Sequence, residues 1–533
     1  MSLYILITGA NGGLGYATCQ RLIDQFFHPT LPPTATLHLL LTTRSPSKGA
    51  TAISSLRAHT LKHHPLASTR THLSAKVLDL TSLASVYALA DSLCREPVAE
   101  DLGGAHRWPR VDVVLLNAAN TSISGINWLG AALAIPRDFI DELSSPTYLV
   151  PSQGGVAPAQ LRRPSSSIPP PSSGSEPSGE KEKEKPGPSE PTLGLIFLSN
   201  TFGHYCLLHR LMPLLRTRTG AADPQSPARL IWISSLNAVA HAFDAEDVQC
   251  LRRPLAYESS KRIVDLLALT GRRLPGAAPY VREFCALPEG NDARQIARTD
   301  SAGDAAPASA PEPRMYIAHP GLACTNGCGL HGSVFLDLMF LLYTAVYYVA
   351  RLLGGTWHVI DPYKGAVAPV WVALVEQTTL DAVESASPPA SASGRAGREI
   401  SVVGEGSVVG QEGIVRPGDE KCGVSSAGAV AVANPGGQGK WGSACDRLGR
   451  ERVVRTEVEG WGLTGGPAES DDGNNGVAGK GKGLSRTAAR KLGRTPKGRA
   501  TTEEDRGQLE RDGVVVWRYM EGLRREWEGL LGL

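Results

Sequence analysis

Residues 4–27 constrain this chain more than any other stretch. Tyr4-Ile5-Leu6-Ile7 is a short apolar run of strand character. It breaks into Thr8-Gly9-Ala10-Asn11-Gly12-Gly13-Leu14-Gly15, and residues 16–27 then read as a helix. Glycine lacks a Cβ, so the backbone can turn sharply and an anion can approach closely. The unpaired N–H groups of the helix start then point at that anion. A glycine pattern alone is weak. One that follows a strand and opens a helix implies a site for the phosphates of a dinucleotide.

Apolar strands and helices go on alternating. Residues 36–44 form a near-continuous apolar run, typical of a strand buried on both faces of a parallel sheet. It ends at Thr42-Thr43-Arg44, with Lys48 close behind and no acid. An acid there would bind a ribose 2′-OH, whereas an arginine accommodates a 2′-phosphate, so Thr43 and Arg44 favour NADP(H). The plainer reading is that Arg44 and Lys48 solvate a loop. Residues 49–64 read as a helix, and 73–80 as a third strand. Asp79, at its end, can accept from an adenine amino group or cap the next helix, 82–95. Residues 111–120 form a fourth strand that runs into Asn117-Ala118-Ala119-Asn120. His63 and His64 have no partners at metal spacing and read as surface residues. The spacing of Gly9, Gly13 and Gly15 is one step from the Rossmann G-x-G-x-x-G. The whole pattern predicts an α/β fold, a doubly wound parallel sheet of Rossmann type in a single domain. That domain covers 1–150 and 192–375, with ligands at the carboxyl ends of the strands.

Composition shows where the pattern is interrupted. The chain has 533 residues with 58 Gly and 38 Pro. Residues 151–191 are Pro-, Ser- and Gly-rich and are expected to be a disordered insertion. Residues 276–313 read as a polar insertion. Residues 385–510 read as a low-complexity segment, disordered or loosely ordered, with a basic run at 480–499. In 511–533, Val516, Met520, Leu523, Trp527 and Leu530 alternate in steps of four and three. That is an amphipathic helix, packed on the domain or on a partner. A net charge of +2 marks no nucleic-acid binder. The nine Cys are scattered without a C-x-x-C and read as reduced thiols in a cytosol-facing protein. The start of the chain shows no leader pattern, so no signal peptide is expected.

The second half carries chemistry. A helix over 193–215 holds Asn200, and a strand over 229–235 ends in Ser234-Ser235. The next helix carries Tyr257-Glu258-Ser259-Ser260-Lys261, which places the phenol and the ammonium one turn apart on one face. An ammonium beside a phenol favours the phenolate and makes the phenol a better proton donor and acceptor near neutral pH. Without context such a pair is an ordinary helix-surface pair. Residues 314–321 form a sixth strand ending in Pro320-Gly321, and 322–326 could close over a nicotinamide.

Taken together, Thr8-Gly9-x-x-x-Gly13-x-Gly15, Asp79, Asn117-Ala118-Ala119, Asn200, Ser235, Tyr257-x-x-x-Lys261 and Pro320-Gly321 resemble the short-chain dehydrogenase/reductase family. The resemblance implies catalysis by Ser235, Tyr257 and Lys261, with Asn200 holding a water beside Lys261. It implies NADPH held by Gly9, Asn11, Gly13, Leu14, Gly15, Thr43, Arg44, Asp79, Asn117, Tyr257, Lys261, Pro320, Gly321 and Thr325, and no metal. There are departures. The chain has Leu116-Asn117-Ala118-Ala119 where the family often has Asn-Asn-Ala-Gly, and an extra loop, 236–254, separates Ser235 from Tyr257. Residues 350–358, 360–371 and 516–528 resemble a fungal branch of the family that reduces sterol 3-ketones during C4-demethylation.

That narrower resemblance implies a sterol substrate, an endoplasmic-reticulum membrane or lipid-droplet surface on the cytosolic side, and other C4-demethylation enzymes as partners. Another lipid ketone, retinoid or acyl, is the alternative substrate. A non-catalytic NADP-binding scaffold is the alternative role. Residues 334–350 are the most apolar stretch, shorter than the ~20 residues of a bilayer span and holding Asp337. They read as a helix that lines the sterol pocket and dips into a membrane face. The other readings are a buried core helix or a true span.

Overall fold

The computed structural model describes residues 1–27, 31–121, 123–161, 190–218, 221, 223–288, 311–324, 334–385, 432–433, 439–461, 463–464 and 502–533. The repeat begins β1 (Ser2–Ile7), α1 (Gly13–Phe26), β2 (Thr36–Thr43), α2 (Pro46–His63), β3 (Thr71–Val77), α3 (Leu83–Arg95) and β4 (Val113–Leu116). A π-helical turn at Leu198–Phe202 then leads into α4 (Gly203–Arg210), followed by β5 (Arg229–Ile233), α5 (Ala256–Thr270) and β6 (Arg314–His319). The remaining elements are α6 (Val334–Leu352), α7 (Val367–Leu374), β7 (Lys440–Cys445), β8 (Glu451–Thr456) and α8 (Glu503–Leu531). One sheet runs in the order β8-β7-β6-β5-β4-β1-β2-β3. Every pairing is parallel except β7 with β8.

The expected doubly wound sheet is therefore present, and both of its faces are covered. Alternate residues of β1 feed different cores: Tyr4 and Leu6 join α3, α4, α5 and α8, while Ile5 and Ile7 join α1, α2 and α7. That two-sided burial is why these strands read as continuous apolar runs.

Three segments expected to lie outside the core contribute to it. Within 385–510, β7 and β8 complete the sheet, and Trp441 is buried against Trp371 at 4.8 Å between ring centroids. Two six-residue strands are diluted in a Gly-, Ser- and Ala-rich window, so composition hid them. Within 276–313, a helix at Ala278–Phe284 buries Phe284 against Tyr205 and Trp517. Within 151–191, Gln160 is buried and its Oε1 accepts from the Leu83 backbone N–H at 2.8 Å. The charged run at 180–185 and the basic run at 480–499 lie outside the described residues.

The C-terminal helix starts earlier than 511 and packs back on the domain. Its Thr502–Asp505 capping box explains the early start. The expected apolar face is buried at Val516, Met520, Leu523 and Trp527, and Gly513 abuts Thr270 at the end of α5. Tyr205 Oη donates to Glu521 Oε2 at 2.7 Å, and Arg524 pairs with both Glu521 and Glu528.

Candidate active site

Most of the cofactor residues read from the sequence stand at or just past the carboxyl ends of parallel strands, where a doubly wound sheet binds its ligands; Tyr257 and Lys261 stand on α5. The glycine turn follows β1. Gly9 and Gly13 have φ of +66° and +53°, a conformation that favours glycine. A Cβ on Gly15 would lie 2.4 Å from the Gly9 carbonyl oxygen and 2.6 Å from Asn117 Nδ2. Asn11 is exposed and Leu14 half-buried at the mouth of the turn. The bare backbone at Gly9, Gly13 and Gly15 suits a pyrophosphate, which needs N–H groups approached without a side chain in the way.

Asn117 and Thr8 brace this turn from behind. Thr8 Oγ1 accepts from the backbone N–H of Asn117 and of Ala118, at 2.9 and 3.0 Å. Asn117 Nδ2 donates to the carbonyl oxygens of Thr8 and Gly9 at 3.0 and 3.1 Å. Asn117 thus holds the loop that would hold the ligand. Thr43 is buried and its Oγ1 accepts from the Ser45 N–H at 3.3 Å, while Arg44 is exposed beside it, open to a 2′-phosphate. Asp79 Oδ1 is engaged by Thr81, from its N–H at 3.0 Å and its hydroxyl at 2.7 Å. The cap of α3 is Ser82, so Asp79 forms the turn before the helix and does not cap it.

Tyr257 and Lys261 lie in the first turns of α5. Tyr257 is half-buried, and Lys261 Nζ stands 5.6 Å from its ring centroid. Lys261 is buried and donates to the Ile233 carbonyl oxygen at 2.6 Å, at the end of β5. Burial, partly offset by Asp265 and reinforced by Lys440, draws its pKa down to about 8. Ser235 follows β5, half-buried, its Oγ accepting from the Asn237 N–H at 3.1 Å. Asn200 sits on the π-helical turn. Its Nδ2 donates to the Asn120 carbonyl oxygen at 2.9 Å and to Ser260 Oγ at 3.1 Å, and its Oδ1 accepts from the Asn120 N–H at 2.6 Å. It joins the end of β4 to α5.

Two residues that the sequence did not single out tie these parts together. His204 spans the site: its Nε2 is 2.9 Å from Thr8 Oγ1 and its Nδ1 is 3.3 Å from the Asn200 carbonyl oxygen. Burial lowers its pKa to about 3, so it is neutral. Its signal was a histidine four residues after Asn200, one helical turn on. The second is Lys440 of β7. It is buried and donates to the Ser235 carbonyl oxygen and to Asp265 Oδ2, both at 2.7 Å. Asp265 Oδ1 in turn accepts from Ser234 Oγ at 2.6 Å. Nothing in the local sequence around Lys440 announces this.

Pro320 and Gly321 follow β6, with Gly321 at φ +64° under the Trp357 and Ser443 carbonyl oxygens. Leu322 and Cys324 N–H donate to the Trp357 and Ile360 carbonyl oxygens, each at 2.8 Å. Thr325 lies outside the described residues. The extra loop, 236–254, is tied to the C-terminal region: Gln249 Nε2 donates to Tyr519 Oη at 2.7 Å and the Ala240 N–H donates to Glu459 at 2.5 Å.

No family model matches the chain. A 3-keto-steroid reductase of Aspergillus fumigatus is 33% identical over 539 residues, which cover 99% of this chain and 95% of that protein. The chain belongs to the fungal 3-keto-steroid reductases. A 3-keto-steroid reductase of Gibberella zeae is 30% identical over 560 residues, covering 100% of this chain and 95% of its own. One of Schizosaccharomyces pombe is 29% identical over 372 residues, covering 70% and 82%. Among solved structures, the Pseudomonas aeruginosa RhlG/NADP active-site complex covers 70% of this chain and 90% of its own, at 14% identity and a TM-score of 0.34, a likeness too loose to argue from. Within this reductase family the match runs through β7, β8 and α8.

Proposed function

We propose that this reductase uses NADPH to convert a 3-keto sterol to the 3β-hydroxy sterol during the C4-demethylation steps of ergosterol synthesis. The observation that carries the reading is the near end-to-end match to 3-keto-steroid reductases together with a Tyr257–Lys261 pair on a helix that Asn200 and His204 link to Thr8 at the glycine turn. Bound NADPH would supply the hydride to C3. The carbonyl oxygen then gains negative charge, and Tyr257 delivers a proton to it. Ser235 donates a hydrogen bond to the same oxygen, a preorganised contribution of about 3 kcal/mol. Lys261, as ammonium, stabilises negative charge on the Tyr257 oxygen. Asn200 and Ser260 hold the start of α5 in place. Arg44 supports the phosphorylated dinucleotide over the plain one.

The same reading places the enzyme on the cytosolic face of the endoplasmic reticulum or on a lipid droplet, with other C4-demethylation enzymes near it. An exposed apolar surface supports this. Leu341, Leu342, Tyr348, Val349 and Leu352 are exposed on α6, and Trp128, Leu129 and Leu133 on the helix Trp128–Ala134. Among the described residues no helix is long and apolar enough to cross a membrane. An interfacial helix fits both facts.

The test is NADPH oxidation by purified protein with a 3-keto sterol, a retinoid ketone and an acyl ketone. The reading expects turnover with the sterol; turnover confined to either rival ketone would replace it. Tyr257→Phe should cut ketone reduction by ~100-fold or more while NADPH still binds. Reduction should also fall as pH rises through about 8, where Lys261 gives up its proton.

A further inference from the structure

The amino-terminal edge of the sheet, opposite the catalytic edge, carries a second cluster of chemistry. His38 on β2 and His72 on β3 are direct Cα partners, and Tyr4 is the partner of His38 on β1. Their rings form a ladder, with centroids 4.4 Å apart in each step and the two imidazoles within 6° of parallel. A short antiparallel ribbon, Val98–Ala99 with Ala105–His106, brings Glu100 and His106 over this ladder. Arg57 grips the ribbon through Asp101, with Nε and Nη2 each 2.7 Å from a carboxylate oxygen, and Asp101 Oδ1 accepts from the Leu73 N–H at 3.0 Å.

Three imidazoles converge on one carboxylate. His38 Nδ1 is 2.8 Å from Glu100 Oε1, His72 Nδ1 is 2.7 Å from Oε2, and His106 Nδ1 is 3.6 Å from Oε1. The donor atoms of His38, His72 and Glu100 all lie within 4.8 Å of one another. His38 Nε2 is 3.2 Å from Thr36 Oγ1, whose own proton goes to Ser2 Oγ at 2.8 Å. His38 Nε2 thus has a hydroxyl partner of its own, and Nδ1 is the nitrogen that faces the carboxylate. The 2.8 Å separation admits a proton or a metal ion shared by the two groups. The side chains of His38 and Glu100 are 7% and 5% exposed, while His72 and His106 are 23% and 40% exposed and form the open side.

We propose that His38, His72, His106 and Glu100 form a zinc(II) site that staples the 98–106 ribbon to the start of β2 and β3. Imidazole nitrogens with one carboxylate are ligands that zinc takes in tetrahedral sites. Both ligand types are in their binding form near neutral pH. Asp101 and Arg57 supply the outer support that fixes the ribbon. All four ligands come from the protein, which is the pattern of a structural metal rather than a catalytic one.

The experiment uses the full-length chain stripped with a chelator and titrated with zinc(II) against a chromophoric zinc indicator. One zinc per chain should bind, and the melting temperature should rise on binding. His72→Gln and Glu100→Gln should each abolish this uptake and the thermal shift, and His106→Ala should weaken binding about tenfold. NADPH binding, read in the same variants, should be unchanged, which shows that they fold. The absence of stoichiometric uptake by the wild type would overturn the site and leave the cluster as imidazoles hydrogen-bonded around Glu100. Zinc uptake undiminished in His72→Gln and Glu100→Gln would overturn it equally, by placing the metal elsewhere.

Discussion

The glycine turn and the β7–β8 hairpin both border the proposed catalytic residues, but they are built in opposite ways. The turn is local: strand, glycines and helix start lie within residues 2–26, and its constraints are steric. Gly15 has no room for a side chain because the Gly9 carbonyl oxygen and Asn117 occupy that space. The hairpin is remote in sequence and its constraints are electrostatic. Lys440 reaches Asp265 and the Ser235 carbonyl oxygen from a different part of the chain, and Glu451 on β8 forms a two-pronged ion pair with Arg21 on α1. Local steric devices leave a readable pattern in neighbouring residues. A buried ion pair between distant segments leaves only an unremarkable lysine and an unremarkable aspartate.

That contrast can be attacked directly. Lys440→Met should have the largest effect. The side chains of Lys440 and Asp265 are 2% and 0% exposed, so removing the ammonium strands a buried carboxylate at a cost of about 3–5 kcal/mol. Denaturant unfolding reads this, and adding Asp265→Asn should recover part of the loss. A Lys440→Met protein as stable as the wild type would show that the hairpin is not held electrostatically. Gly15→Val should leave global stability less affected but weaken NADPH binding by ~100-fold, about 3 kcal/mol, measured by fluorescence titration. Retained affinity would deny the turn its role as a phosphate cradle.

The smallest effect concerns a group on α1, the helix that follows the glycine turn. Asp24 on α1 takes hydrogen bonds from His59, His64 and Tyr363, at 2.7, 2.8 and 2.7 Å. Burial acts to raise its pKa, but these partners outweigh it and hold it at about 2, against 3.8 for the ordinary group. Its stabilisation is present above about pH 4 and is lost as pH falls toward 2, a contribution of about 2 kcal/mol. Asp24→Asn should remove that component of the acid transition, followed by circular dichroism. An unchanged acid midpoint would mean that the link between α1 and the 361–365 segment carries no weight.

What the sequence showed and what it hid follow the same division. The alternation of strands and helices through residue 319 was legible because two-sided burial demands continuous apolar runs. Tyr257 and Lys261 were singled out by helical spacing and Ser235 by its place at a strand end, while Asn200 entered through the family resemblance. Asn117 was read as a cofactor contact; the bonds of its side chain to the loop backbone are something that no spacing encodes. Lys440 was missed because the surrounding composition masked a strand of six residues, KWGSAC. The His38–His72 pairing is equally silent in the sequence, since it arises from register between neighbouring strands.

The placement of β7 has a consequence for biogenesis. Ribosomes release β1 through β6 first, and β6 then waits with its outer edge unpaired until Lys440–Cys445 docks beside it. Asp265 must meanwhile reside in an unfinished interior without its partner cation. A nascent chain stalled before that docking would expose a sticky strand edge and a stranded acid, the form that a chaperone would be expected to hold.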